Sequence, residues 1–382
     1  MTSTTPERWD VDALVDDPGT RIIVCCGAGG VGKTTTAAAL GLRAAERGRH
    51  TVVITVDPAR RLAQSLGLAS LDDTPRPVPL PEEATGSMHA MMLDMKRTFD
   101  EVVEEHADPE RARQILANPF YQTLSTSFSG TQEYMAMEKL GQLRQSGDWD
   151  LIVVDTPPSR SALDFLDAPK RLGRFLDGRL IRFLSAPAGT GAFRLLGAGF
   201  NLVTSTIGRI VGAQFLGDLR AFVSAFETVF GGFQERAERT YRLLQAPGTG
   251  FVVVAAPEPD AMREASYFIE RLATDAMPLA GLVINRTHPL PEGPAATLDA
   301  DRATAAAEFL EQTGSSPLAA AALRLHADRV RVRERENRLR DALLSAHDGV
   351  RVAEVAALPE DVYDLPGLRG IGESLAFADR GR

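Results

Sequence analysis

Hydrophobic positions in this chain fall into short continuous runs rather than an alternating pattern. Residues 21–26 (RIIVCC), 51–56 (TVVITV), 88–93 (MHAMML), 151–154 (LIVV), 251–256 (FVVVAA), 280–284 (AGLVI) and 350–355 (VRVAEV) each have strand length. Runs without alternation predict strands covered on both faces, as in a mostly parallel sheet between helices. The 88–93 run is placed centrally in that sheet, with its methionines in the core. Residues 34–47 (TTTAAALGLRAAER) predict an alanine-rich helix that ends at Gly48. The proline-rich segments 75–81 and 290–294 predict exposed linkers or loops. Residues 95–150 and 161–246 contain helical patterns and no clear strand, which marks them as insertions. The fold class is α/β: a mostly parallel central sheet flanked by helices, with an inserted helical subdomain.

Composition narrows the function. Lys and Arg total 42 against 51 Asp and Glu, a net charge of −9. That balance disfavours a nucleic-acid binder, whose footprint is a basic excess. The two cysteines, Cys25 and Cys26, are sequence neighbours. They supply neither a disulfide framework nor a four-thiolate metal site. No run of 18 apolar residues predicts a transmembrane segment. The first 20 residues are acidic and lack the apolar core of a leader. Together these features predict a cytoplasmic protein, and leave open a peripheral position at a membrane. Only four of the 42 basic residues are lysine: Lys33, Lys96, Lys139 and Lys170. Arginine is the default cation here, so a lysine marks a place that requires one.

Lys33 lies in such a place. Gly27-Ala28-Gly29-Gly30-Val31-Gly32-Lys33-Thr34-Thr35 satisfies GxxxxGK[ST], after a predicted strand and before a predicted helix. Small residues let backbone N–H groups curl around phosphates at a helix N-terminus. Lys33 then meets the β- and γ-phosphates, and the Thr34 hydroxyl meets Mg2+. Two carboxylates extend the site: Asp57 after the 51–56 strand and Asp155 after the 151–154 strand. A carboxylate at a strand's carboxyl edge beside a phosphate loop suits Mg2+ or its waters. The cofactors expected are ATP and Mg2+.

These stretches, GAGGVGKTTTAAALGLRAAERGRHTVVITVDPARRLAQSLGL and VDTPPSRSALDFL, resemble the arsenite-pump (ArsA) and tail-anchored-protein-targeting ATPases. That family lies among the deviant phosphate-loop ATPases with MinD, ParA and nitrogenase iron protein. The resemblance runs from about residue 21 to about residue 371, and looks closest to an actinobacterial "anion-transporting ATPase" branch. It implies that Gly29, Gly30, Val31, Gly32, Lys33, Thr34 and Thr35 bind the nucleotide. It further implies that Thr34, Asp57 and Asp155 hold Mg2+, some through water. Asp57 lies in a first switch and positions the attacking water, and Asp155-Thr156-Pro157 form a second switch. Asn285 reads the adenine edge, while Pro257 and Glu258 lie near the base or ribose. Lys33, Asp57 and Asp155 are the expected catalytic set.

The resemblance divides the chain into an N-terminal extension (1–20), a first nucleotide-binding part (21–94), a helical segment (95–148), and a core strand with second switch (149–160). An apolar helical insertion (161–246) and a second nucleotide-binding part (247–382) follow. With one phosphate loop per chain, the two-site geometry of the family it resembles implies a homodimer, or a heterodimer with a paralogous ATPase. The departures matter. The family's loop carries a second lysine where this chain has Ala28, so hydrolysis rate is in question, and Arg60 or Arg160 is a candidate substitute. The second switch reads DTPPSRS and lacks a histidine. The paired zinc cysteines and the three arsenite thiolates are absent. Three functions are therefore carried forward: a dimeric ATPase that couples nucleotide state to opening and closing, a hydrolysis-poor scaffold beside a paralogous chain, and the catalytic half of an anion pump.

Residues 183–217 hold seven glycines and only two charges, Arg194 and Arg209. So apolar a stretch is either a groove for a membrane-protein or other apolar helix client, or a packed interface. Residues 324–340 alternate arginine with Asp328, Glu334 and Glu336, which predicts a solvated, salt-bridged helix.

Overall fold

The computed structural model describes residues 9–57, 61–118, 121–122, 131–157, 233–290, 293 and 297–376. The 183–217 stretch, Arg60 and Arg160 lie outside them, and of the 290–294 segment only Leu290 and Gly293 are described.

Among the described residues, eight strands form one sheet in the order β3-β4-β2-β5-β1-β6-β7-β8. They are β1 (Ile22–Gly27), β2 (His50–Thr55), β3 (Arg76–Pro77), β4 (Ser87–Met92), β5 (Leu151–Asp155), β6 (Thr249–Ala255), β7 (Leu279–Thr287) and β8 (Val352–Ala356). All pair in parallel except β3, which runs antiparallel to β4. The continuous apolar runs have the expected cause. Along β1, Ile22, Val24 and Cys26 join one core while Ile23 and Cys25 join the other. Every side chain is thus buried although the strand alternates. Fully burying residues such as Ile23 or Val153 contributes about 1.5–3 kcal/mol each.

Two expectations are corrected. Part of the proline-rich 75–81 linker is the edge strand β3, extended by a bond from Val78 N–H to the Met88 carbonyl (2.9 Å). Proline lacks a donor, so an outermost position is where it fits a sheet. The 88–93 run is β4, which lies second from the edge rather than centrally. Met88 and Met91 are nonetheless buried, one in each core.

One face of the sheet carries α1 (Val11–Asp16), α2 (Lys33–Glu46), α3 (Arg61–Ser65) and, at the end of the chain, α11 (Leu365–Leu375). The other carries α4 (Met95–His106), α5 (Pro109–Leu116), α6 (Thr131–Ser146), α7 (Phe233–Gln245), α8 (Pro259–Thr274) and the C-terminal half of α10 (Pro317–Ala346). The N-terminal half of α10 pairs with α9 (Ala300–Thr313) around a small core of Ala300, Ala303, Ala327 and Val330. Of the acidic residues expected to pair on α10, Asp328 meets Arg331 at 3.3 Å, and Glu336, buried rather than solvated, meets Arg333 at 3.6 Å. Arg324 meets Glu311 at 2.6 Å, and Arg333 and Arg340 meet Glu354 of β8 at 2.7 and 2.8 Å.

The topology places a crevice. From β1 the chain crosses to β2 on one side, and β6 lies on the other. Loops at the carboxyl ends of strands diverge at such a switch point, and ligands bind there.

Candidate functional site

The loop after β1 fills that crevice. Gly27 ends the strand with φ 151°, and a Cβ there would lie 2.0 Å from the Val254 carbonyl oxygen of β6. Gly32 caps α2 in the left-handed region, φ 96°, where a Cβ would lie 2.2 Å from Asn285 Nδ2. Both positions therefore demand glycine. From the Gly32 cap, α2 starts with the Thr36 N–H and hydroxyl both donating to the Gly32 carbonyl, at 2.9 and 3.0 Å.

Lys33 is buried, and its Nζ donates to the Ala28 carbonyl at 2.7 Å. Burial lowers its pKa, and the nearby Asp155 charge opposes that shift. Asp155, at the end of β5, is fully buried. Its Oδ2 accepts from the Thr34 and Thr55 hydroxyls, each at 2.8 Å. Its Oδ1 is buried without a hydrogen-bond partner. Burial pushes the Asp155 pKa up to about 6, against the lowering effect of the Thr55 and Thr34 hydroxyls. A charge held in this way ties α2, β2 and β5 together at one point. An orphaned buried oxygen beside a threonine hydroxyl is a hard-oxygen donor set of the kind Mg2+ takes.

Thr156 stacks its N–H and hydroxyl on the Cys25 carbonyl, at 3.3 and 2.8 Å, which fixes the start of the loop after β5 to β1. Asp57 follows β2, and its N–H donates to Thr55 Oγ1 at 3.2 Å. Thr55 thus links the Asp57 backbone to the Asp155 carboxylate.

Above these groups lies a cavity of about 560 Å3. Gly30, Gly32, Lys33, Thr34, Thr35 and Asp57 of the expected set line it. Asp155 lies beneath, joined through Thr34. Asn285 does not border the cavity. Its Nδ2 donates to the Val31 carbonyl at 2.9 Å and its Oδ1 accepts from the Arg286 N–H at 3.0 Å, so it props the loop from below. Gly29 is exposed and Val31 buried within the loop, and neither borders the cavity. Pro257 is half-buried in the turn before α8, with Glu258 as that helix's N-cap, and neither borders the cavity either.

Among the described residues, sequence reasoning passed over seven that line the cavity. Arg61, Gln64 and Ser65 come from α3, and the Ser65 hydroxyl bonds back to the Arg61 carbonyl at 2.9 Å. Arg286 follows Asn285 with φ 63°, at the register shift between β7 and β8. Asp361 and Tyr363 close the far end after β8, together with Val362. The signal for α3 was the pair Arg61 and Gln64, three residues apart and just past Asp57, which share a helix face. The signal for the far end was its place after a parallel strand's carboxyl end.

Cys25 and Cys26 are buried in β1. Burial raises the Cys25 pKa strongly and pushes that of Cys26 up to about 12.

A model of the anion-transporting ATPase family matches residues 20–316 of the chain. ATPase GET3 of Malassezia globosa is 29% identical over 163 residues, which are 43% of this chain and 46% of that protein. ATPase GET3 of Podospora anserina is 26% identical over 277 residues, 72% of this chain and 76% of that one. ATPase GET3B of Arabidopsis thaliana is 26% identical over 311 residues, 76% of this chain and 69% of that one. Among the described residues, no helix is long and apolar enough to cross a membrane. The phosphate loop, both carboxylates and Asn285 all fall inside the stretch that the family model covers, and the chain belongs to the anion-transporting ATPase family.

Proposed function

We propose that the chain binds MgATP in this cavity and hydrolyses it, as a dimer whose opening and closing follow the nucleotide state. One observation carries the reading: Asp155 joins the phosphate-loop residue Thr34 to Thr55 at the root of the Asp57 segment, directly below a cavity lined by Lys33. Bound Mg2+ would be held by Thr34, Asp57 and Asp155 and would supply neutralising charge to the phosphate oxygens. The chain's own residues do the rest. The N–H groups of residues 29–35 cradle the phosphates. Lys33 exchanges the Ala28 carbonyl for phosphate oxygen, and Asp57 orients the attacking water. Asn285, Pro257, Arg286 and the 361–363 segment belong to the base end. For Asn285 to read the adenine edge, one of its two present bonds must open.

Dimerisation rests on the single phosphate loop per chain, and an apolar client on the 183–217 stretch. Placement in an actinobacterial branch rests on the resemblance of the phosphate-loop and second-switch stretches alone. A cytoplasmic location accords with the absence of a long apolar run. A second reading, a hydrolysis-poor scaffold beside a paralogous chain, draws on Ala28. A third, the catalytic half of an anion pump, is disfavoured for arsenite because both thiols are buried and protonated. Steady-state phosphate release from the full chain decides between the first two. Turnover that is lost in both Lys33→Ala and Asp57→Asn supports the ATPase. No turnover above those variants, despite nucleotide binding, selects the scaffold.

A further inference from the structure

Among the described residues, three basic side chains line the cavity, Lys33, Arg61 and Arg286, and they are not equivalent. It runs along the carboxyl edge of the sheet, past the ends of β2, β5, β1, β7 and β8. Arg286 and Tyr363 lie at the β7–β8 end. Arg61 lies at the β2–β5 end, with Asp57 and Thr156. In the MgATP reading above, Thr34 and Asp155 hold Mg2+ beside the terminal phosphates, on the β5 side of the loop, which puts Arg61 at the γ-phosphate end and Arg286 at the base end.

We propose that Arg61 is a catalytic residue, contacting the γ-phosphate from within the same chain. The inference rests on the MgATP reading above and assigns its second cation. MgATP carries about two net negative charges around the triphosphate, and Lys33 answers one of them. Ala28 is buried and apolar, so the turn of the loop offers no second cation. Among the described residues that line the cavity, Arg61 is the one other cation at this end. It is exposed on α3 and makes no ion pair among the described residues. Its planar fork can donate to two γ-oxygens together, which an ammonium cannot. In the reaction the water oxygen bonds to the γ-phosphorus, and the bond from that phosphorus to the β–γ bridging oxygen breaks. The electron pair stays on ADP, and the water proton leaves to solvent. Arg61 changes neither bonding nor protonation. It stabilises charge on the equatorial oxygens as that charge develops.

The test uses the full chain and two readouts. Binding is measured by displacement of a fluorescent adenine nucleotide by MgATP and by MgADP. Turnover is measured as phosphate release. Arg61→Gln is expected to weaken MgATP about tenfold while MgADP stays within about twofold, and to lower kcat by about 100-fold or more with KM less affected. Arg61→Lys is expected to recover part of the ATP preference but less of kcat. Arg286→Gln is expected to weaken ATP and ADP alike. Equal weakening of ATP and ADP by Arg61→Gln, or no change in either, overturns the proposal. If the wild-type chain binds nucleotide without turnover, the hydrolysis reading fails alone, and the ATP-against-ADP comparison still decides whether Arg61 meets the γ-phosphate.

Discussion

Asp155→Asn should make the nucleotide-free protein more stable at alkaline pH while it removes function. The carboxyl is fully buried, and its pKa rises from 3.8 to about 6 on folding. A raised acid pKa stabilises the fold below the unfolded value, and that stabilisation is lost as pH climbs through the folded value. Two pKa units correspond to about 3 kcal/mol, of which about 1.5 kcal/mol is lost between pH 5 and pH 8. Asparagine has no such titration. Its carbonyl can still accept from Thr34 and Thr55, but its NH2 then occupies the place of the partnerless Oδ1 and costs about 1–2 kcal/mol. The variant should therefore gain about 1–2 kcal/mol over wild type at pH 8, and that advantage should shrink by about 1.5 kcal/mol at pH 5. Urea unfolding in EDTA across this pH range reads the difference directly. Parallel stability curves for variant and wild type would refute the claim that Asp155 holds a buried, strained charge. In the same samples, added MgATP should stabilise wild type and not the variant.

Three further outcomes follow from the geometry. Gly32→Ala puts a Cβ 2.2 Å from Asn285 Nδ2 at a left-handed residue; thermal unfolding should show a loss of about 1–3 kcal/mol, and nucleotide binding should fall with it. Asn285→Ala removes the prop under Val31; if the side chain only supports the loop, ATP and GTP affinities drop together in a competition assay, whereas a loss confined to ATP shows that it also reads the base. For Glu354, burial acts to raise the pKa, but bonds from Arg340 and Arg333 outweigh it and the net shift is downward. A depressed acid stabilises the fold above its unfolded pKa and loses that contribution as pH falls, so Glu354→Ala should cost about 1–3 kcal/mol at neutral pH and less in acid, as read by denaturant midpoints.

Much of this architecture is legible in the chain because burial on both faces leaves an unbroken apolar run, as in β1, β2, β5 and β6. The order of strands is not, since a run carries no label for its neighbours; β4 reads as central because the short β3 covers its outer side. β3 itself leaves no hydrophobic signature, being an exposed Arg-Pro pair at an edge. In the site, the phosphate loop and the strand-end aspartates are local patterns and visible as such. The Asn285–Val31 bond spans 254 positions and emerges only when β7 and β1 lie in one sheet. Arg61 and Gln64 sit beside a recognised aspartate, yet which side of α3 faces the phosphates depends on how the chain turns after Asp57. Arg286 points to the cavity through a backbone angle that no residue pattern encodes.

The central claim is that one cavity per chain takes a Mg2+-bound triphosphate against this loop. Calorimetric titration of ATP into the full-length chain, with and without Mg2+, tests it most directly. The account predicts one site per chain, binding strengthened by Mg2+, and a loss of 100-fold or more, about 2.7 kcal/mol, in Lys33→Ala. Binding that is indifferent to both Mg2+ and Lys33, or no binding at all, would contradict it.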